Sequence, residues 1–131
     1  MRDASELIGK VRALVGKSPK NVYCDFNNGC FYNKGKCIDG SIGCLIGQAL
    51  LELGWLNIYD CLLIDIGTIL YNRWDNVKYD SPYIKDILPM LEIICNLTEK
   101  NWLATIQMEQ DAGWDWADCI KKADELYPLD I

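Results

Sequence analysis

Two glycine turns near the N-terminus constrain the fold of this chain more than any other feature. Asn28-Gly29 and Lys34-Gly35 separate short runs that are rich in Val, Tyr and Phe. Asn-Gly between such runs favours a β-hairpin, because both turn residues must adopt a positive φ. The segment therefore predicts a small three-stranded antiparallel meander, about 22–38, with strands over 22–26, 30–33 and 36–38.

Helical periodicity dominates the rest of the sequence. Asp3 and Glu6 have capping-box spacing, and apolar residues at helical intervals then predict a helix over 4–15. About five more helices are predicted after the meander. Their predicted positions are Ser41 to Gly54, a start at Asp60, Ser81-Pro82 through Cys95 with a kink or break at Pro89, Thr98 to Gly113, and a last helix opened by Trp114 or Asp115. The predicted fold class is α+β, mainly α, packed as a single domain over 1–131.

Composition argues against several classes of protein. Half of the residues are hydrophobic, which argues against disorder. No apolar run reaches the roughly 18–20 residues that span a bilayer. The charged start, MRDASELIGKVRALVG, does not have the pattern of a signal peptide. We therefore expect a cytoplasmic protein with no membrane partner, whose seven cysteines, an odd number, stay reduced.

Charge is distributed unevenly along the chain. Residues 1–37 carry seven Lys/Arg and three Asp/Glu, whereas 38–131 carry six and sixteen, and the net charge is −6. Nucleic-acid binding needs a basic surface, so we expect no nucleic-acid partner. An acidic surface favours basic partners instead.

Four cysteines, Cys24, Cys30, Cys37 and Cys44, are the candidate zinc ligands. Structural zinc sites use ligand pairs about two to four residues apart. Here five, six and six residues intervene, and the chain has no histidine. Alternation in the predicted meander also places Cys24 on the opposite face from Cys30 and Cys37. The spacing favours packed thiols with no metal or other cofactor, and a zinc site is the weaker alternative.

Cys44 is also the candidate reactive thiol. It falls at the start of a predicted helix, where free N–H groups and the helix dipole favour a thiolate. A nucleophile needs a base, and the absence of histidine removes the usual one. The same absence excludes serine–histidine triads and histidine-bound catalytic zinc, and no glycine-rich phosphate loop is present. The sequence therefore favours a protein that is not an enzyme.

A second polar motif lies in the segment 102–120. Gln107, Gln110 and Asp111 cluster on one side of a predicted helix end, and Trp114 and Trp116 follow. One interpretation is a polar pocket walled by indoles, suited to a small ligand or a partner loop. The favoured interpretation is structural: the polar side chains hold the turn by hydrogen bonds to backbone, and one tryptophan fills the core.

Three parts of the chain carry a resemblance to a known family. They are Cys30-Phe31-Tyr32, then 43–50 (Gly-Cys-Leu-Ile-Gly-Gln-Ala-Leu), then Trp102-Leu103 through Gln107, Gln110, Asp111, Gly113 and Trp116. In this order and spacing the chain resembles a family of small uncharacterised proteins from actinobacteria and their phages. Cys37 and the Gly35 turn are additions, and the richness in Lys, Asn and Ile departs from the family's composition. The resemblance implies a shared architecture and a phage origin, and it implies no activity.

The resemblance also suggests where a site would lie. If the two motifs meet in the fold, one corner is lined by Cys30, Tyr32, Cys44, Gln107, Gln110, Asp111 and Trp116. The predicted function is that of a small phage-encoded accessory protein that binds a host or phage protein in the host bacterial cytoplasm. The alternative is a small-molecule or thiol-dependent site at a Cys44/Asp111 corner, and the third is a zinc-stabilised module.

Overall fold

The structure is a computed structural model that describes residues 2–24, 36–56, 88–89 and 91–129. These ranges contain four helices and one two-stranded sheet. The elements are β1 (Arg2–Asp3), α1 (Ala4–Lys17), α2 (Leu45–Glu52), β2 (Ile93–Ile94), α3 (Leu97–Asp111) and α4 (Trp116–Leu126). The prediction of an α+β fold that is mainly α is confirmed. The predicted helix after Asp60 and the start at Ser81-Pro82 lie outside the described residues.

Helix α1 begins where the sequence predicts. The Asp3 side chain accepts a hydrogen bond from the Ser5 backbone N–H at 2.9 Å, and Glu6 occupies the first turn. The helix continues past its predicted end to Lys17, where the Ser18 N–H donates to the Leu14 and Val15 carbonyls. Its buried face carries Ala4, Leu7, Ile8, Val11 and Val15.

The predicted meander is wrong in its strand order. Tyr23 pairs antiparallel with Cys37, with the Cys24 N–H donating to the Lys36 carbonyl at 2.8 Å. A meander would place 30–33 between these segments and make the outer two parallel. The cause is burial: pairing across the longer connection lets Tyr23 and Cys37 both face the core. The segment 25–35, which includes the predicted middle strand, lies outside the described residues.

The regular sheet forms elsewhere, from two distant segments. Strands β1 and β2 run parallel, with Arg2 opposite Ile93 and Asp3 opposite Ile94. The prediction that helical periodicity continues through Ile94 and Cys95 is therefore wrong. Leu88 and Pro89 are helical, but Glu92 adopts a φ of 56° and turns the chain into β2. Proline cannot donate an N–H to the helix ladder, which is consistent with a break close to Pro89.

Helix α2 begins later than predicted. Its N-cap is Cys44 rather than Ser41, because Gly43 adopts a φ of 96° and cannot belong to a right-handed helix. Ser41 instead donates its backbone N–H to the Asp39 carboxylate at 2.8 Å in the preceding turn. Gly54, at a φ of 72°, follows the end of α2 as predicted.

A short turn joins helices α3 and α4, which pack against each other. Asn96 caps α3 in a capping box with Glu99, so the predicted cap at Thr98 is wrong. Gly113, at a φ of 95°, follows α3 as predicted. Asp115 caps α4 and accepts a hydrogen bond from the Asp118 N–H at 2.8 Å.

One core cluster joins the four helices. Helix α1 contacts α2, α3 and α4, and α3 packs along α4. The largest fully buried side chains include Trp102, Trp116, Tyr23, Leu45 and Ile106. None of the helices in the described ranges has the length and hydrophobicity required to cross a membrane.

Candidate functional site

The two sequence motifs meet where α2 begins and α3 ends. The Leu45 backbone N–H donates to the Gln110 side-chain oxygen at 2.6 Å, across 65 positions of sequence. Cys44, directly before Leu45, is fully buried, and so is Gln110. The first N–H groups of a helix have no partner inside the helix, so a side-chain acceptor from another helix stabilises the start of α2. We call Cys44, Leu45, Gln107, Gln110, Asp111 and Trp116 the motif junction.

Two further members of the motif junction, Gln107 and Trp116, are also buried. Gln107 is fully buried on α3, and Trp116 is 1% exposed at the first position of α4. The Trp116 backbone N–H donates to the Asn21 carbonyl at 2.9 Å, which ties the start of α4 to the segment after α1. Cys30 and Tyr32, which the sequence also assigned to this corner, lie outside the described residues.

The position of Cys44 determines what its thiol can do. The sulfur accepts a hydrogen bond from the Gly47 backbone N–H at 3.4 Å and has no exposed surface. A catalytic nucleophile must reach its substrate, and this sulfur serves as the cap of α2. Trp116 fills the core while Trp114 is 49% exposed, as the structural interpretation of the second motif predicts for one tryptophan. The other part of that interpretation differs, because the Gln110 side chain accepts from the Leu45 N–H of α2 rather than from the turn.

Asp111 is the electrostatically unusual member of the motif junction. Burial raises the pKa of this carboxyl from 3.8 to about 7, and a hydrogen bond with the Gln110 side chain opposes the rise. Its Oδ1 atom is buried and has no hydrogen-bond partner in the described part of the chain. Asp111 is also the last residue of α3, where the helix dipole disfavours negative charge. Perturbed carboxyls of this kind occur at functional sites and at structural ones.

Cys37 is the buried thiol that lies beside the start of α2. The Cys37 thiol donates to the Gly43 carbonyl at 3.5 Å, and the Gln48 amide donates to the same carbonyl at 3.0 Å. Burial raises the pKa of Cys37 to about 11, so its thiol is protonated at neutral pH. A zinc ligand must be a thiolate, so binding of zinc at Cys37 would require loss of this proton.

The predicted zinc set is not assembled in the described part of the chain. Cys24 is exposed, whereas Cys37 and Cys44 are buried, and Cys30 lies outside the described residues. Within the described ranges no three His, Cys, Asp or Glu side chains are grouped so as to hold a metal ion.

Sequence reasoning missed a groove bounded by α1, the start of α3 and the segment after α4. The groove has a volume of about 370 Å³. Its α1 side consists of Ser5, Ile8, Gly9 and Arg12, which share one helical face. Asn96, Thr98 and Glu99 form the α3 side, and Pro128 and Leu129 close it. The α1 spacing is visible in the sequence, but the facing elements come from far along the chain.

Arg12, which lines this groove, forms an ion pair with Asp124. The Arg12 guanidinium donates to both oxygens of Asp124, at 3.0 and 2.7 Å, and lies over the Trp102 ring at 5.0 Å from its centroid. The Trp102 indole N–H donates to the same carboxylate at 2.8 Å. Hydrogen bonding from Arg12, against the effect of burial, holds the pKa of Asp124 below its usual value. These three side chains link α1, α3 and α4, and we call them the Arg12 clamp.

Comparisons with known proteins add no assignment. No family model matches this chain, and no curated protein and no solved structure matches it. The proposed function therefore rests on the residues and their geometry.

Proposed function

We propose that this protein is a small accessory protein, encoded by a phage, which acts by binding a host or phage protein in the cytoplasm of the host bacterium. The observation that carries the proposal is that side chains of the motif junction form hydrogen bonds within the molecule. Cys44 and Gln110 are buried, and each accepts a hydrogen bond from a backbone N–H at the start of α2. The chemically distinctive residues are thus occupied in holding helices together, which leaves the surface to carry the function.

Exposed apolar side chains support a binding role for that surface. Leu97 is 70% exposed, Ile38 is 62% exposed and Trp114 is 49% exposed. Single exposed apolar residues are ordinary, but tryptophan and large aliphatic side chains are also the groups that anchor protein interfaces. The resemblance to phage and actinobacterial proteins supports the phage origin.

Affinity capture tests the proposal. The full chain, immobilised through a terminal tag, is exposed to extract from infected and uninfected host cells. We expect one protein to be retained in stoichiometric amount, and to bind again when both proteins are purified. Failure of every retained protein to bind in purified form would refute the proposal.

A small-molecule or thiol-dependent site at the Cys44/Asp111 corner is the second candidate. The observation in its favour is the raised pKa of Asp111, about 7, which would suit a general acid or base at neutral pH. Alkylation of the native protein with iodoacetamide, followed by peptide mass analysis, distinguishes the candidates. Packing predicts rapid labelling of exposed Cys24 and slow labelling of Cys44. Labelling of Cys44 as fast as that of Cys24 would favour the thiol-dependent site.

A further inference from the structure

We propose that the groove bounded by α1, α3 and the segment after α4 binds a peptide segment of the partner protein in which a lysine or arginine adjoins an apolar side chain. This inference rests on the proposed function, because it names the surface that binds the partner and the chemistry of what is bound. We call this surface the α1–α3 groove.

Gly9 leaves open space on the α1 side of the groove. A Cβ atom built at this position meets nothing within 4 Å, so packing inside the protein does not require glycine there. Glycine inside an exposed helix is less favourable than alanine. The absence of a side chain at Gly9 keeps the α1 side of the groove open. A partner's side chain can therefore approach the α1 backbone closely.

The charge of the groove favours a cationic occupant. Arg12 is neutralised by Asp124 within the clamp. Glu99 is half-buried, and in the described part of the chain its carboxylate accepts the Asn96 N–H at 2.9 Å and takes part in no ion pair. The groove thus presents one negative charge that no ion pair neutralises within the described residues, in a chain whose net charge is −6. A cationic side chain complements it, whereas an anionic one would be repelled.

The walls of the groove are partly apolar and enclose a small volume. Ile8 forms an apolar part of the α1 wall, and Pro128 and Leu129 provide an apolar wall opposite the polar start of α3. A volume of about 370 Å³ lies at the lower end of the range of ligand pockets, roughly 300–1,000 Å³. The space suits a few side chains of a short segment. The same groove thus offers Ile8 and Leu129 to an apolar side chain and the Glu99 carboxylate to a cation.

Two pools of short synthetic peptides test this chemistry. The first pool has Lys or Arg at the centre, Leu, Ile or Phe beside it, and Ser or Gly elsewhere. The second pool differs only in having Glu at the centre. The immobilised full chain should retain the cationic pool and not the acidic one. Fluorescence anisotropy of the most retained peptides then gives their affinities.

Two matched glycine substitutions locate the binding. Gly9→Leu fills the groove, and we expect it to weaken binding by at least about tenfold. Gly16→Leu adds the same side chain to the same helix, at a position that also has nothing within 4 Å but does not line the groove. We expect Gly16→Leu to bind as the unmodified protein does.

A charge substitution separates electrostatics from shape. Glu99→Gln keeps the hydrogen bond of the capping box and removes the charge, so α3 should stay capped. We expect binding of cationic peptides to weaken several-fold and to become less sensitive to salt. Glu125→Gln removes an exposed charge from α4 outside the groove and should change neither.

Several results would overturn the inference. They are no retention of either pool, preference for the acidic pool, or equal binding by Gly9→Leu and Gly16→Leu. Concentration-dependent self-association that Gly9→Leu abolishes, measured by analytical ultracentrifugation, would assign the groove to a second copy of this chain instead. A purified partner that binds Gly9→Leu undiminished would leave the proposed function intact and refute only the groove.

Discussion

The motif junction and the α1–α3 groove use their residues in opposite ways. The junction contains chemically distinctive side chains, and those of Cys44, Gln110 and Trp116 are buried in contacts within the chain. The groove contains ordinary residues such as Ser5, Gly9 and Glu99, and it is open to a partner. A conspicuous sequence motif can thus mark where helices are joined, while the binding surface arises from unremarked residues that the fold brings together. If this contrast is correct, substitutions at the junction change stability, and substitutions in the groove change binding.

Trp116→Ala should give the largest loss of stability. Removal of a fully buried tryptophan leaves a cavity in the core, and such changes cost about 3–5 kcal/mol. The free energy of unfolding in urea measures the loss. Trp114→Ala is the matched control two residues earlier, and because Trp114 is 49% exposed it should lose roughly 1 kcal/mol or less. Equal losses would contradict the placement of the two indoles.

Asp111 should make stability depend on pH in an unusual direction. Its folded pKa, about 7, lies above its unfolded value of 3.8, so the folded state holds the proton more tightly. The stabilisation is complete below the unfolded pKa and is lost as pH rises through about 7. Asp111→Asn should remove this dependence and raise stability at pH 8 by roughly 2–4 kcal/mol. Urea unfolding from pH 4 to pH 8 measures the slope.

The absence of histidine simplifies the interpretation of the pH dependence of stability. The chain has no imidazole to titrate near neutrality. Glu125→Gln, at an exposed position of α4, should leave the slope unchanged. A slope that persists in Asp111→Asn would show that another group is responsible.

Gln110→Leu should have a smaller effect with a local signature. The substitution keeps the apolar volume in the core and removes the acceptor of the Leu45 N–H. A buried donor left without a partner costs about 1–3 kcal/mol. Hydrogen exchange of the Leu45 amide should be slow in the unmodified protein and faster in the variant. Unchanged exchange at Leu45 would show that this hydrogen bond does not protect the start of α2.

The sequence predicted local structure, such as helix caps, better than it predicted which strands pair. Asp3 and Asp115 cap helices as expected, because a cap depends on the next few residues. The predicted cap of α3 at Thr98 lies two residues too late. The true cap is visible in the sequence, because Asn96 and Glu99 have the spacing of a capping box. The strand order failed because pairing is decided by which residues can be buried, as Tyr23 and Cys37 are.

The motif junction and the α1–α3 groove also differ in how far the sequence predicts them. The contact between Cys44-Leu45 and Gln110 matches the spatial hypothesis taken from the two motifs, but their complete burial could not be inferred from spacing. Strands β1 and β2 have two residues each, too few to show a periodicity. The α1–α3 groove depends on how residues 5–12, 96–99 and 128–129 are arranged in space. No local pattern in the sequence specifies that arrangement.

Gly9→Leu should have the smallest effect on stability, and its sign is informative. Leucine is the better helix former and meets nothing within 4 Å at its Cβ, so stability should rise by about 0.5–1 kcal/mol. Gly16→Leu should give a similar or smaller rise, because it lies in the last turn of α1. Urea unfolding of both variants checks this. A variant that is more stable and yet binds less would show that the open groove is kept for binding, at some cost to the helix that forms it. A loss of stability at Gly9→Leu would show instead that the groove is closed by contacts within the chain, and the contrast with the motif junction would then fail.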